Sequence, residues 1–264
     1  MRIVVCVKHV PELESDRAFD TSGRTVRTVE NSTLNEVDEN AVEEALQLRG
    51  EGEVIALTLG PAPAADALRR AMAMGADQGV HLCDEAFAGS DYGGTARALA
   101  AAINRLHAQA PVDLVLAGMT ALDGLGSVVP TMLAAELDRP YLGVVHRLQV
   151  EGREVRAVRE VDAVTEHVST SLPAVVSVTD VINVPRFPKY NDIMAARGKE
   201  LTVWNAAELG LATDDVGAAG ARTATAGTQP RPPRAEPVVI TDDDGDAGAQ
   251  LAQYLIERDF AETR

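Results

Sequence analysis

Up to about residue 143, short unbroken apolar runs alternate with stretches whose apolar positions recur every three to four residues. Residues 2–8 form a Val- and Ile-rich run, the pattern of a strand buried on both faces, and Pro11 ends it. Residues 12–33 are polar, with Arg24-Thr25-Val26-Arg27 alternating in the manner of a short strand. Residues 39–49 place Ala41, Ala45 and Leu48 on one side and Glu43 and Glu44 outside, which predicts a helix stopped by Gly50 and Gly52. Then follow a strand over 54–59, a turn at Gly60-Pro61, a helix over 64–74 ending at Gly75, and a short strand over 80–82. A helix over 92–108 starts behind the N-cap pair Ser90-Asp91, a strand covers 112–117, and a helix covers 128–137 before Pro140. This alternation predicts an α/β fold: a doubly wound, mostly parallel, Rossmann-like sheet of the kind that binds adenine nucleotides.

After residue 143 the period changes to two. Residues 144–150, 153–161 and 167–171 read as an antiparallel extension, and the continuous apolar run 173–181 returns to the main sheet. Pro185 and Pro188 bar regular structure from 185–190. A short helix suits 191–197 and a strand suits 199–205. Residues 217–237, rich in Gly, Ala, Thr and Pro, cannot bury a core alone and read as an extended arm. Asp242-Asp243-Asp244 reads as a solvated turn. Residues 246–258 form an amphipathic helix whose apolar side, Ala249, Leu251, Ala252, Leu255 and Ile256, needs a dock on its own domain or on a partner chain.

Composition narrows the function classes. The net charge of −16 repels nucleic-acid phosphates, and 3% aromatic residues leave few rings for base stacking, so no nucleic-acid partner is expected. No run approaches the roughly 18 apolar residues of a membrane span. The N-terminal run is too short for a signal peptide, and Cys6 and Cys83 read as buried free thiols of a reducing, cytoplasmic compartment. No CxxC and no metal-ligand spacing occurs, so no metal is expected. None of the five histidines accompanies a Ser or Cys nucleophile in a recognisable arrangement.

Two segments carry the candidate chemistry. Asn35-Glu36-Val37-Asp38 leads into a helix, and Gly118-Met119-Thr120-Ala121-Leu122-Asp123-Gly124 follows a strand. Each sets backbone N–H groups and short polar side chains at the carboxyl end of a buried strand, the edge where open α/β sheets bind nucleotides. Gly118, Gly124 and Gly126 permit close backbone approach, and the helix start near Val128 can receive a phosphate. Taken alone, Asp38 also fits an N-cap and Asp123 a turn residue. Cys6 fits a packing residue whose backbone lines the site.

These segments, with Val5-Cys6-Val7-Lys8-His9-Val10-Pro11, Leu68 to Asp77, Leu172 to Val176, Asn183 to Phe187 and Ile193 to Ala196, resemble the β subunits of electron transfer flavoproteins. The resemblance implies a heterodimer with an α subunit that holds most of the FAD. It implies a structural AMP in this chain or, in electron-bifurcating members, a second FAD. The nucleotide contacts it implies are Cys6, Asn35, Glu36, Val37, Asp38, Leu59, Gly118, Met119, Thr120, Ala121, Leu122, Asp123, Gly124, Gly126, Ser127, Val128 and Val129. It implies electrons accepted from acyl-CoA or other flavin dehydrogenases and passed to a membrane quinone oxidoreductase. Phe187, Lys189, Tyr190, Ile193 and Met194 fall on the family's partner-recognition loop, and Glu160 falls near the flavin. Glu160 also fits a strand-surface carboxylate, and Tyr190 a loop aromatic packed on its own domain. The domain layout implied is 1–184 for the nucleotide-binding domain, 185–200 for the recognition loop and short helix, and 201–264 for a C-terminal arm and helix on the α subunit.

The sequence departs from the family at three points. Leu125-Gly126-Ser127-Val128-Val129 offers only the Ser127 hydroxyl, which implies a phosphate resting on backbone N–H groups. Ala163-Val164 follows Asp162 where Gly-Gly is usual, and Tyr190 stands where Leu is common. A stand-alone nucleotide sensor or ATP-using enzyme, the rival class, requires a GxxxxGK[ST] loop that the chain lacks.

Overall fold

The computed structural model describes residues 1–229, 232–242 and 245–260. In chain order the strands and helices are β1 (Arg2–Cys6), β2 (His9–Pro11), β3 (Ser32–Leu34), α1 (Glu36–Leu48), β4 (Glu53–Leu59), α2 (Ala65–Met74), β5 (Gln78–Leu82), α3 (Tyr92–Gln109) and β6 (Leu114–Gly118). They continue with α4 (Val129–Glu136), β7 (Tyr141–Glu151), β8 (Glu154–Val161), β9 (Val164–Ser171), β10 (Ala174–Val178), α5 (Tyr190–Gly198), β11 (Thr202–Trp204), α6 (Gly217–Gly220) and α7 (Ala247–Glu257). The main sheet runs β11-β5-β4-β1-β6-β10-β7-β8-β9. Its pairs are parallel from β11 to β7 and antiparallel from β7 to β9, as the change of period predicts.

The central strands are apolar throughout because both their faces are covered. Ile3 and Val5 of β1 pack with Ala41, Ala45, Leu68 and Ala71 from α1 and α2. Val4, between them, faces Ala96, Leu99 and Ile103 of α3 and Leu133 of α4. β7 serves two parts of the sheet. Its first residues pair with β10, and from Val145 onward it pairs with β8. The change of partner falls at an irregularity of the β7–β10 pairing between Leu142 and Val145, where Val144 takes a φ of 59°. The two-residue β8–β9 turn uses Asp162 at φ 55°, in place of the usual glycine.

Four sequence expectations require correction. α1 begins at Glu36, three residues earlier than the periodicity indicates. Glu43 and Glu44 lie inside, each only 6% exposed, because Arg186 and Asn183 reach across to them. The alternation at 24–27 produces only the isolated Phe19–Thr25 bridge, and the paired strands of that region are β2 and β3. Cys6 and Cys83 are free; Cys83 is only half-buried, whereas the Cys6 thiol itself is enclosed although the residue as a whole is partly exposed.

The chain divides into two compact units, 1–226 and 227–264. The expected arm over 217–237 is therefore split. Its first part belongs to the first unit, where Val216 is fully buried and Gly217 N donates to Ser90 Oγ at 2.7 Å. In the second unit no residue of α7 is buried, and Leu251 is 50% exposed. Asp243 and Asp244 of the acidic run lie outside the described residues. Among the described residues no helix is long and apolar enough to cross a membrane.

Asp91 joins the start of α3 to the end of the first unit. It caps Gly94 N at 2.9 Å and accepts from Arg222 N and Thr223 N at 2.8 and 3.1 Å. Asp91→Ala should cost about 1–2 kcal/mol in denaturant unfolding, the magnitude of a lost cap. Amide exchange at Arg222 and Thr223 should accelerate while the middle of α3 keeps its protection. Unchanged exchange at those two amides would show that something else anchors the segment.

Candidate functional site

From β1 the chain adds β4 and β5 on one side, and α3 then carries it back to place β6 on the other. The winding direction therefore reverses between β1 and β6. In open α/β sheets a crevice forms at the carboxyl ends of the strands flanking such a reversal. Cys6, Leu59 and Gly118 end the three neighbouring strands β1, β4 and β6 there.

The first turn of α1 lies behind this edge. Asn35 occupies the N-cap position of α1, yet its fully buried side chain makes no cap. Its amide donates to Thr120 O at 2.9 Å, and its carbonyl oxygen accepts from Leu122 N at 3.0 Å. The Asp38 carboxylate accepts from Lys8 N at 2.9 Å and Gly118 N at 3.1 Å, so it too caps no helix. Burial pushes its pKa up to about 7, against the pull of those hydrogen bonds. A side chain at Gly118 would collide with this carboxylate, so glycine there serves close packing. Val37 is buried and Glu36 is exposed. Burial, with Asp38 nearby, pushes the Cys6 thiol up to about 12, which suits a packing residue better than a nucleophile.

The loop after β6 is pinned at Asp123, whose side chain is 1% exposed. One oxygen accepts from Lys8 Nζ at 2.8 Å; the other pairs with the Arg27 guanidinium, through Nη2 and through Nε at 3.1 Å. Burial opposes ionisation, but the two cations outweigh it and hold the carboxyl below its ordinary range. The sequence reading did not single out Lys8 or Arg27. Lys8 lies two residues past the end of β1, which is a positional signal, whereas Arg27 sits in a polar stretch that offers none.

Further along, Gly124 is exposed, and a Cβ built on it meets nothing within 4 Å. Leu125 and Ser127 take left-handed φ of 48° and 52°. Gly126 lies under Tyr92, whose hydroxyl would be 2.6 Å from an added Cβ. Met119 N donates to Val178 O, and Val128 precedes the first turn of α4. The buried Thr120 Oγ1 has no partner. An unsatisfied buried hydroxyl costs about 1–3 kcal/mol. That orphan, together with a strand-edge loop pinned between two cations, fits a phosphate-bearing nucleotide.

The second group of expected residues forms a separate surface. Val184, Phe187 and Tyr190 are 89%, 82% and 74% exposed. Arg70 lies over the Phe187 ring at 5.0 Å and pairs with Glu39. Lys189 occupies the N-cap position of α5, where its backbone N–H donates to Asp192 Oδ2 at 3.3 Å, Met194 is exposed, and Ile193 is half-buried against the core. This segment is tied back to α1. Asn40 Nδ2 donates to Asn183 O at 2.9 Å, Asn183 Nδ2 donates to Glu44 Oε2 at 3.0 Å, and Arg186 forks onto Glu43. The Arg186 hydrogen bonds hold Glu43 down to about 2 against the cost of its burial. Glu160 joins neither group: it is exposed near the end of β8, with β7 and β10 between that strand and β6. Among the described residues no cluster of His, Cys, Asp or Glu forms a metal site.

The Asp38 pKa fixes the sign of one pH effect. An unfolded aspartate releases its proton near pH 4, while the folded chain keeps it up to about 7. Its contribution to stability is complete below about pH 4 and is lost as pH rises through 7. Asp38→Asn cannot titrate. The stability difference between the native chain and this variant, measured by denaturant unfolding, should narrow from pH 5 to pH 8. A difference constant with pH would contradict the assignment.

Residues 24–209 match the family model described as the electron transfer flavoprotein domain. The chain is 40% identical over 262 residues to the electron transfer flavoprotein subunit beta of Mycobacterium tuberculosis, covering 96% of this chain and 97% of that one. It is 35% identical over 220 residues to the caffeyl-CoA reductase-Etf complex subunit CarD of Acetobacterium woodii, covering 82% and 83%. Protein FixA of Azotobacter vinelandii is 32% identical over 253 residues, covering 92% and 90%. The chain therefore belongs to the electron transfer flavoprotein family, among its β subunits.

Proposed function

We propose that this chain is the β half of a heterodimeric electron carrier and that the crevice at the ends of β1, β4 and β6 holds AMP as a structural nucleotide. Membership of the family supports a flavin-associated complex with an α subunit. FAD, held mostly by the α subunit, supplies the redox chemistry when bound. The residues of this chain position and exclude. The loop after β6, fixed at the carboxyl ends of β1, β4 and β6 and held between the Lys8 and Arg27 cations at Asp123, carries the AMP reading, and the unpartnered buried Thr120 hydroxyl on the same loop is consistent with it. Asn35 and Asp38 fix the loop backbone by taking up Leu122 N and Gly118 N and by bonding Thr120 O, so a ligand meets only the N–H groups of the loop that these bonds leave over. Glu160 would lie on the side of the flavin. Electrons arrive from flavin dehydrogenases docked on the 184–194 surface and leave toward a membrane quinone oxidoreductase.

A second reading places another FAD where AMP is proposed. It draws on the similarity to CarD, whose name assigns it to a caffeyl-CoA reductase-Etf complex. Mass spectrometry of the nucleotides released from the purified heterodimer separates the two. AMP with one FAD supports the first reading, and two FAD without AMP supports the second.

Gly124→Val tests the placement of the ligand. Because nothing surrounds that Cβ, the fold should tolerate the change at this position. Co-purified AMP should fall, and thermal stability should fall only by the share that the ligand contributes. Full AMP occupancy in the variant would sink the placement. Tyr190→Ala tests the docking surface. A projecting aromatic that fills a partner pocket commonly costs about 2 kcal/mol when truncated. Electron transfer from the cognate dehydrogenase should slow at least about tenfold at sub-saturating concentration, while chemical reduction of the flavin stays unchanged. Equal dehydrogenase rates would move the anchor elsewhere, with Phe187 next in line.

A further inference from the structure

The Asp123 carboxylate is almost completely buried and engages two cations where one would neutralise it. Within this trio one positive charge is in excess, and the neighbouring Asp38, which burial raises to about 7, is only partly ionised at neutral pH and offsets it in part. Lys8 retains capacity for a ligand: its ammonium spends one of three N–H groups on Asp123, and its side chain is 43% exposed. Arg27 is held more firmly, with Nε and Nη2 on Asp123 and Nη1 on Thr25 O at 3.3 Å, and its side chain is 29% exposed. Three residues before Asp123, on the same loop, sits the unpartnered buried Thr120 hydroxyl. The loop thus gathers spare donors and a surplus positive charge around a carboxylate whose acceptors are already used. A phosphate monoester, carrying about −1.5 to −2 at neutral pH and offering three acceptor oxygens, supplies what is missing.

We propose that Lys8 and Arg27 are the phosphate-recognition pair of this crevice, and that Asp123 is a positioning residue that orients them. The proposal rests on the adenine-nucleotide reading above. It departs from a phosphate resting mainly on backbone N–H groups, and it assigns to Asp123 a role toward the two cations in place of direct ligand contact. The ligand class is an adenine nucleotide with a terminal phosphate. A nucleoside without phosphate should bind through its base and ribose alone.

The test compares AMP with adenosine by isothermal titration of the heterodimer after its nucleotide has been stripped. The native complex should hold AMP at least about tenfold more tightly than adenosine, and rising salt should erode that preference. Lys8→Gln and Arg27→Gln should each bring the ratio toward one while adenosine affinity stays near native. Lys8→Arg, which keeps the charge, should restore most of the preference. Unfolding midpoints without nucleotide, close to native in Lys8→Gln, would separate recognition from a merely structural role. A native AMP-to-adenosine ratio in both Gln variants would overturn this proposal and leave the adenine-nucleotide reading standing, since both ligands would still bind. Failure of the native complex to bind either ligand would overturn that reading and the proposal with it.

Discussion

The backbone N–H groups of Lys8 and Gly118 emerge from neighbouring parallel strands where ladder pairing ends, and both terminate on the carboxylate of Asp38. Strands that part at a winding reversal leave such groups without ladder partners, and a buried N–H without a partner is costly. One buried side chain from the first turn of α1 satisfies both. It fixes the spacing of β1 and β6 at the edge where their loops diverge. The arrangement requires a glycine at 118, since any side chain there would occupy the carboxylate's place. Asn35 repeats the device one layer out, bonding Thr120 O and Leu122 N with the two ends of one amide. The loop after β6 is therefore shaped before any ligand arrives, and preorganised donors bind without a further ordering cost.

α1 serves both surfaces of the molecule. Its first turn holds the strand-end loop through Asn35 and Asp38, and its middle holds the 183–186 segment through Asn40, Glu43 and Glu44. Burying two adjacent carboxylates on a helix is unfavourable unless each is paired. The two are handled differently. Glu43 receives a forked guanidinium and stays ionised, whereas burial, less offset by the single Asn183 amide, pushes Glu44 up. The specificity of these bonds lets two prolines and a run of exposed apolar residues, Val184, Phe187 and Tyr190, stand off the body without a core of their own.

The strands of the main sheet were legible because continuous apolar runs and sustained period-two alternation are local signals, whereas four alternating residues at 24–27 misled and the three-residue strands β2 and β3 escaped notice; the Asp91 cap of α3 was legible as a local signal too. Glu43 and Glu44 were misplaced because helical periodicity assigns charged residues to the outside. The partners that overrule it, Arg186 and Asn183, lie about 140 residues away in sequence. Asn35 and Asp38 have the residue types of caps, and only tertiary contacts reveal that each spends its side chain on a loop instead. The edge strand β11 was expected, but its place beside β5 was not, since three residues carry no register information. Run boundaries located the strand ends of the candidate site, whereas its charges escaped notice because isolated cations such as Lys8 and Arg27 belong to no local pattern.

A nucleotide that performs no chemistry still has a physical use at such an edge. Lys8 follows β1, Arg27 lies in the long polar segment between β2 and β3, and Asp123 lies after β6, so three separate stretches meet at one ion cluster. Cations gathered beyond what their carboxylate neutralises repel one another, and solvent screens that repulsion only in part, since Arg27 is 29% exposed. A bound phosphate converts the surplus into attraction across all three stretches. On the proposed reading, a phosphate that binds only the assembled cluster would stabilise the folded state by about 4 kcal/mol at a thousandfold excess over its Kd. The ligand then acts as a removable staple. It would hold the strand-end loops in one geometry while the flavin, held by the other subunit, exchanges electrons.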